Sequence, residues 1–249
     1  LGRVHCRDDN LEAYRLLRDA GIGNISVDLI YALPGQTLGE WRGELEQALD
    51  LEPEHISLSP LTIEEGTPFA KEKALGTITL PDEGIAAKMY LLAADLAADR
   101  GYDHYEVSSW ARPGFTSRHN TGCWKMAAYR GFGAGAHSFL PHPSPVRFAN
   151  DPRADGYCAL VEGGESAAGF REELSSRTLA GETLILGLRL FEGVSAEEFR
   201  NRFGADPAGL FPEAFRLGFE REWILRRGDR IAFTPAGALF SDEVFLLFV

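Results

Sequence analysis

Hydrophobic and polar positions alternate along this chain in a regular rhythm for its first hundred residues. Leu11, Tyr14, Leu16, Leu17 and Ala20 recur at helical spacing behind Asn10, an N-cap residue type, and Gly21 ends the run with a residue tolerant of positive φ. Ile25 to Tyr31 then reads as a strand. Thr37 and Glu40 form a capping box for a helix whose face carries Leu38, Trp41, Leu45, Ala48 and Leu49. Pro53 closes that helix, and Ile56 to Leu61 is the next strand. After a loop, Pro81 and Asp82 open a long amphipathic helix through Ile85, Met89, Leu92 and Leu96 to Gly101, before a strand from Tyr102 to Val107. Strands separated by helices of a dozen residues cannot form hairpins, so the pattern predicts parallel neighbours in an α/β sheet or barrel. Three strands are too few to close a barrel.

From Ser108 to about Asn150 the periodicity fades into a segment dense in Gly, Pro, His and aromatic residues, and long structureless segments tend to be functional. Beyond about Arg171 the pattern predicts a helix over Leu179 to Leu190, a stop at Gly193 and a short helix behind a Ser195/Glu198 capping box. A third helix opens at Asp206-Pro207. A hairpin follows, with arms Trp223 to Leu225 and Arg230 to Phe233 around Gly228-Asp229, and a last helix from Thr234-Pro235. Helices followed by a hairpin suggest a winged-helix-like module. The expected division is therefore 1–107, 108–170 and 171–249.

Charge narrows the partners. The chain holds 25 Lys+Arg against 37 Asp+Glu, a formal charge of -12, which disfavours a phosphate backbone or an anionic membrane as a general partner. The tail from Arg171 has ten arginines and no lysine against thirteen acidic residues, so a DNA-binding wing is a poor reading. No apolar run is long enough to span a membrane. Cys6, Cys123 and Cys158 match neither a disulfide framework nor a zinc site, which fits a reducing compartment, the cytoplasm. The chain begins with Leu and meets a helix within ten residues, as a piece of a longer protein would.

Several residues could carry chemistry. Asp28 sits mid-strand, where helices on both faces would make a carboxylate costly; it either forms a structural ion pair or a cap to a neighbouring loop, or serves as an acceptor for ligand hydroxyls at the strand's C-terminal end. Gly131 to Gly135 lacks the GxGxxG spacing, so tight packing explains it as well as a phosphate loop does. His119, Asn120, Cys123 and Trp124 gather an imidazole, an amide, a thiol and an indole within six residues; a histidine bonded to loop backbone and a ligand to iron both remain open there. His137 and His55 carry less functional weight. G-x-S-x-G, H-E-x-x-H and Walker A patterns are absent.

Four ordered motifs across the first 140 residues resemble the HemW family of radical-SAM proteins, relatives of oxygen-independent coproporphyrinogen III oxidase. They are Val27 to Thr37 (VDLIYALPGQT), His55 to Leu58 with Leu61 to Pro68 (LTIEEGTP), Tyr105 to Ser108 with Ala111 to Gly114, and Arg118-His119-Asn120 with Gly133 to Ser138. The tail resembles the family's C-terminal domain more loosely, through Leu186 to Leu190 and Glu192-Gly193. The resemblance implies an α/β fold: the second half of a radical-SAM partial (β/α) barrel, then a haem-linked extension and a winged-helix-like α+β domain.

It also implies S-adenosylmethionine, a [4Fe-4S] cluster in the full-length parent, and haem as cargo passed to acceptor proteins, with a homodimer as a further possibility. By motif position Arg3, Asp28 and Thr62 correspond to S-adenosylmethionine contacts. His119, with Asn120 and Trp124, corresponds to the family's His-Asn-x-x-Tyr-Trp haem motif, although Cys123 stands where that motif has tyrosine. The cluster-binding C-x-x-x-C-x-x-C is missing from this chain, so no metal site is expected in it and it is not expected to perform radical chemistry as it stands. The competing expectations are an oxidative decarboxylase of porphyrin biosynthesis and, from another class, a winged-helix nucleic-acid-binding regulator.

Overall fold

A computed structural model describes residues 4–249, which form two compact units, the first reaching Thr116 and the second starting at Ser117. The expected segment 108–170 straddles that boundary. Arg3, an expected contact residue, lies outside the described residues.

The first unit runs α1 (Arg7–Asp19), β1 (Ser26–Tyr31), α2 (Leu38–Asp50), β2 (His55–Pro60), α3 (Pro68–Ala74), α4 (Glu83–Asp99), β3 (Asp103–Glu106) and β4 (Ser109–Ala111). Helix α1 starts a turn before the expected Asn10 cap, because the Asp9 carboxylate accepts from the Cys6 amide at 2.7 Å and makes Cys6 the cap. The Thr37/Glu40 capping box forms in both directions, with Glu40 N–H donating to Thr37 Oγ1 at 3.2 Å and Thr37 N–H to Glu40 Oε2 at 2.8 Å. Asp82 caps α4 through the Ile85 amide at 2.8 Å. Helix α4 buries Met89, Tyr90, Ala93 and Ala97, a stripe one position round from the expected one, because the small alanines allow close approach while Leu92 and Leu96 lie at its flank.

The sheet order is β1-β2-β4-β3. Strands β1 and β2 are parallel, with Asp28 opposite Ser57, as the pattern predicts. The third strand is not their neighbour. Only Val107 and Ser108 separate β3 from β4, so the chain reverses in a tight hairpin, and β4 inserts antiparallel between β2 and β3. That three-residue strand is too short to show any period. One face of the sheet, bearing Ile56, Leu58 and Trp110, is covered by α2 and α4; Trp41, Leu45 and Met89 are fully buried, each contributing on the order of 2 kcal/mol through apolar burial. Trp41 Nε1 donates to the Met89 carbonyl at 2.9 Å, which satisfies the one polar atom of that indole.

The second unit contains α5 (Arg118–Trp124), β5 (His137–Leu140), β6 (Val146–Asn150), α6 (Ala154–Glu162), β7 (Ala168–Glu173), α7 (Ser176–Leu188), β8 (Val194–Ser195), α8 (Ala196–Phe203), α9 (Pro207–Leu210), α10 (Pro212–Glu220), β9 (Ile224–Arg227), β10 (Arg230–Phe233), α11 (Pro235–Leu239) and α12 (Ser241–Leu246). Where the sequence shows no period, β5, β6 and β7 form an antiparallel sheet. Elements of four to seven residues are shorter than the window in which a period can be read. From α7 onward, helix, short strand, helices and hairpin follow the winged-helix-like order, with β8 completing the sheet β8-β10-β9. Ser195 caps α8 as expected, its Oγ accepting from Glu198 N–H at 3.0 Å. The last predicted helix is broken at Phe240 into α11 and α12. Among the described residues no helix is long and apolar enough to cross a membrane.

Candidate functional site

In the first unit the face of the sheet opposite α2 and α4 is polar. Period-two alternation puts Ser26 and Asp28 of β1, His55 and Ser57 of β2 and Ser109 of β4 on that face, with Glu106 of β3 in register beside Ser109. A hydrogen-bonded chain crosses it. Ser26 Oγ donates to Asp28 Oδ1 at 3.3 Å and lies 2.9 Å from His55 Nδ1, while His55 Nε2 lies 2.8 Å from the Tyr105 hydroxyl. His55 is buried, and that burial pushes its pKa below the ordinary histidine value, against the pull of the Asp28 charge. The neutral ring is the form this chain stabilises.

Asp28 itself is exposed, which corrects the expectation of a strand covered on both sides. Among the described strands β1 is outermost in this sheet. Asp28 enters no ion pair among the described residues, and its hydrogen-bond donor is Ser26. A cavity of about 730 Å³ runs along β1, lined by Asn10, Tyr14, Ser26, Asp28 and Gln47 among others, a size that suits a small organic ligand. Beyond the C-terminal end of β1, Ala32 holds a left-handed φ of 57° and the turn is closed by Gln36, whose Oε1 accepts from Leu33 N–H at 3.1 Å and whose Nε2 donates to Glu44 at 2.9 Å. Thr62 is expected on the strand itself. It is exposed, in the loop two residues past the end of β2, and does not line that cavity.

In the second unit His119, Asn120 and Trp124 share the short helix α5 rather than a loop. Ser117 caps it by accepting from the Asn120 amide at 3.2 Å. His119 is exposed, and its Nε2 lies 3.8 Å from the Cys123 Sγ one turn later. Trp124 is half-buried beneath the Arg189 guanidinium, 4.4 Å from the ring centroid, and its buried Nε1 has no hydrogen-bond partner among the described residues. Beside it lies a cavity of about 280 Å³ lined in part by Lys125, Leu190, Phe199 and Arg230.

The glycine run is occupied with its own fold. A Cβ on Gly131 would strike the His137 carbonyl oxygen, while the Gly131, Gly133 and Gly135 amides donate to Ser138, Tyr157 and Asp151. Packing therefore accounts for these glycines, and their amides are not free to cradle a phosphate. His55 carries little weight in the sequence, yet it is central to the polar face; the alternation His55, Ser57, Ser59 within one strand is the signal that could have found it.

Residues 174–240 match the HemN C-terminal domain family. Across its whole length the chain is 34% identical over 250 residues to the heme chaperone HemW of Lactococcus lactis subsp. lactis (strain IL1403), covering 64% of that protein. It is 33% identical over 251 residues to the heme chaperone HemW of Bacillus subtilis (strain 168), again along the entire chain, covering 65% of that relative. The chain thus spans somewhat less than two thirds of the length of these relatives. In three dimensions it is similar to coproporphyrinogen III oxidase (HemN) from Escherichia coli, a radical SAM enzyme, with a TM-score of 0.78 over 99% of this chain and 59% of the other. At 17% identity that likeness is one of fold.

Proposed function

We propose that the chain, similar along its whole length to heme chaperones named HemW and in fold to a radical SAM enzyme, acts in haem handling as a chaperone, binding haem and passing it to acceptor proteins. The observation that carries this reading is the whole-length similarity to two proteins named as haem chaperones. At α5 an exposed imidazole and a half-buried indole five residues further on share one short helix. A neutral imidazole nitrogen is a good axial donor to haem iron, and Trp124 offers an aromatic surface to a flat macrocycle.

For S-adenosylmethionine the residues fit in part. The exposed Asp28 carboxylate would accept the ribose hydroxyls, with Ser26 and His55 orienting it from behind, and the bound group would supply the adenosyl chemistry of the radical-SAM fold. A [4Fe-4S] cluster does not fit. It needs several neighbouring thiolates, whereas Cys6 lies in the first unit and Cys123 and Cys158 in the second; among the described residues no three His, Cys, Asp or Glu side chains could hold a metal.

Hemin titrated into the protein should give a saturable Soret shift, and the loaded protein should pass its haem to an apo-globin. His119→Ala should weaken the shift while leaving the circular dichroism spectrum unchanged, since the side chain is exposed. Absence of saturable binding would overturn the chaperone reading.

A further inference from the structure

Strand β3 meets β4 with a break in register: His104 lies opposite Trp110 and Glu106 opposite Ser109, which makes Tyr105 the extra residue of a β-bulge. A bulge re-aims the side chain it carries. Here the ring of Tyr105 tilts against that of His55, their centroids 5.7 Å apart, and its hydroxyl comes within 2.8 Å of His55 Nε2, on the face that also bears Ser26 and Asp28.

The chain of contacts from that hydroxyl to the carboxylate has a direction. An ionised carboxylate can only accept, so the Ser26 hydroxyl donates to Asp28 Oδ1 at 3.3 Å. With its one proton so placed, Ser26 Oγ accepts from His55 Nδ1 at 2.9 Å, and a neutral ring protonated at Nδ1 leaves Nε2 to accept from the Tyr105 hydroxyl. In the opposite order Ser26 would donate to His55 and turn a lone pair toward the carboxylate, which would lose the contact at 3.3 Å. The charge of Asp28 therefore selects the Nδ1–H tautomer.

We infer that Tyr105 is a positioning residue for Asp28: its hydroxyl anchors His55, the Nδ1–H of His55 anchors Ser26, and Ser26 fixes the carboxylate at the wall of the cavity along β1. Ser26 and Asp28 line that cavity and neither His55 nor Tyr105 does, so the relay reaches a ligand only through the carboxylate and the serine. Without it, an exposed carboxylate samples several rotamers, and a ligand must select the productive one at a cost in affinity. The inference rests on the reading of Asp28 as an acceptor for ribose hydroxyls and adds the distant group that aims it.

Two measurements on the full chain test it. Ring-nitrogen NMR spectra of the ligand-free protein, with the His55 signals identified by their loss in His55→Gln, should show a proton on Nδ1 and a bare Nε2, and Asp28→Asn should move the ring toward the Nε2–H form. Calorimetric titration with S-adenosylmethionine should show Tyr105→Phe, which keeps the ring and removes one oxygen, weakening binding about three- to tenfold, the range of a neutral hydrogen bond. Added to Asp28→Asn, the same substitution should cost nothing further, because the group it aims is gone. A wild-type ring protonated at Nε2 overturns the inference, as does an equal loss from Tyr105→Phe in both backgrounds, which would mark a general effect on the sheet. If the wild-type chain binds no S-adenosylmethionine, or binds it equally well as Asp28→Asn, the ribose reading fails; the relay then stands if Asp28→Asn moves the tautomer and falls if it does not.

Discussion

The imidazole of His104 lies flat on the indole of Trp110, their ring centroids 4.0 Å apart and their planes 14° from parallel. Tyr90 of α4 closes the edge of the stack, with its hydroxyl 3.4 Å from His104 Nε2 and donating to the Val107 carbonyl at 2.9 Å. Burial in this apolar stack drives the His104 pKa down to about 4, with the Val107 and Glu106 backbone pulling weakly the other way. The neutral ring is therefore the folded form.

Stability should follow that titration. A histidine whose folded-state pKa is depressed leaves the protein fully stable above its unfolded value of about 6.5 and removes stability as the pH falls from there toward 4. At roughly 1.4 kcal/mol per pH unit the loss amounts to about 3 kcal/mol. Urea unfolding at pH 7 and pH 4.5 should show it, and His104→Phe, which keeps a ring on Trp110, should narrow the gap between the two curves. An equal gap in the variant would remove His104 as its source.

Glu54 locks α1 to the sheet. It accepts from Arg18 Nη2 at 2.9 Å and from the Ile25 amide at 2.9 Å, and although burial raises its pKa, these bonds outweigh that and hold it below the ordinary carboxylate value. Glu54→Gln keeps the shape and loses the charge, and should cost about 1–3 kcal/mol at pH 7. The deficit should shrink as the pH falls from about 4.5 through the lower folded-state value, where the unfolded chain takes up its proton first and the folded carboxylate last. A deficit independent of pH would point to packing instead.

If Asp28 holds ribose hydroxyls, Asp28→Asn should weaken binding of S-adenosylmethionine about 10- to 100-fold by calorimetry, the range expected for hydrogen bonds to a charged acceptor. Because the side chain is exposed, the urea midpoint should not move. Unchanged affinity would detach Asp28 from that ligand.

Gly193 tests the wing of the second unit. Its φ is 72°, and a Cβ would strike the Ile231 carbonyl oxygen and the Ala232 methyl. Gly193→Ala should cost several kcal/mol, since both the left-handed backbone and the β8-β10 approach oppose it. Thermal melting of the variant would reveal this; a Tm within a few degrees of wild type would show that the strands can part without penalty.

What the chain settled by itself was local. The Thr37/Glu40 and Ser195/Glu198 boxes, the Asp82 cap, the stop at Gly21 and the turn at Gly228, φ 59°, are all readable, because each depends on residues within about four positions of one another. The motif around His119 was equally plain, though its helix was not, since seven residues carry too little period. Tertiary structure decided the rest. Only strand order puts β4 between β2 and β3 and brings His55 within 2.8 Å of Tyr105, fifty residues away. Such pairings arise from long-range strand contacts whose register no short window of residues contains, and they set which carboxylates stay in water and which rings lose it.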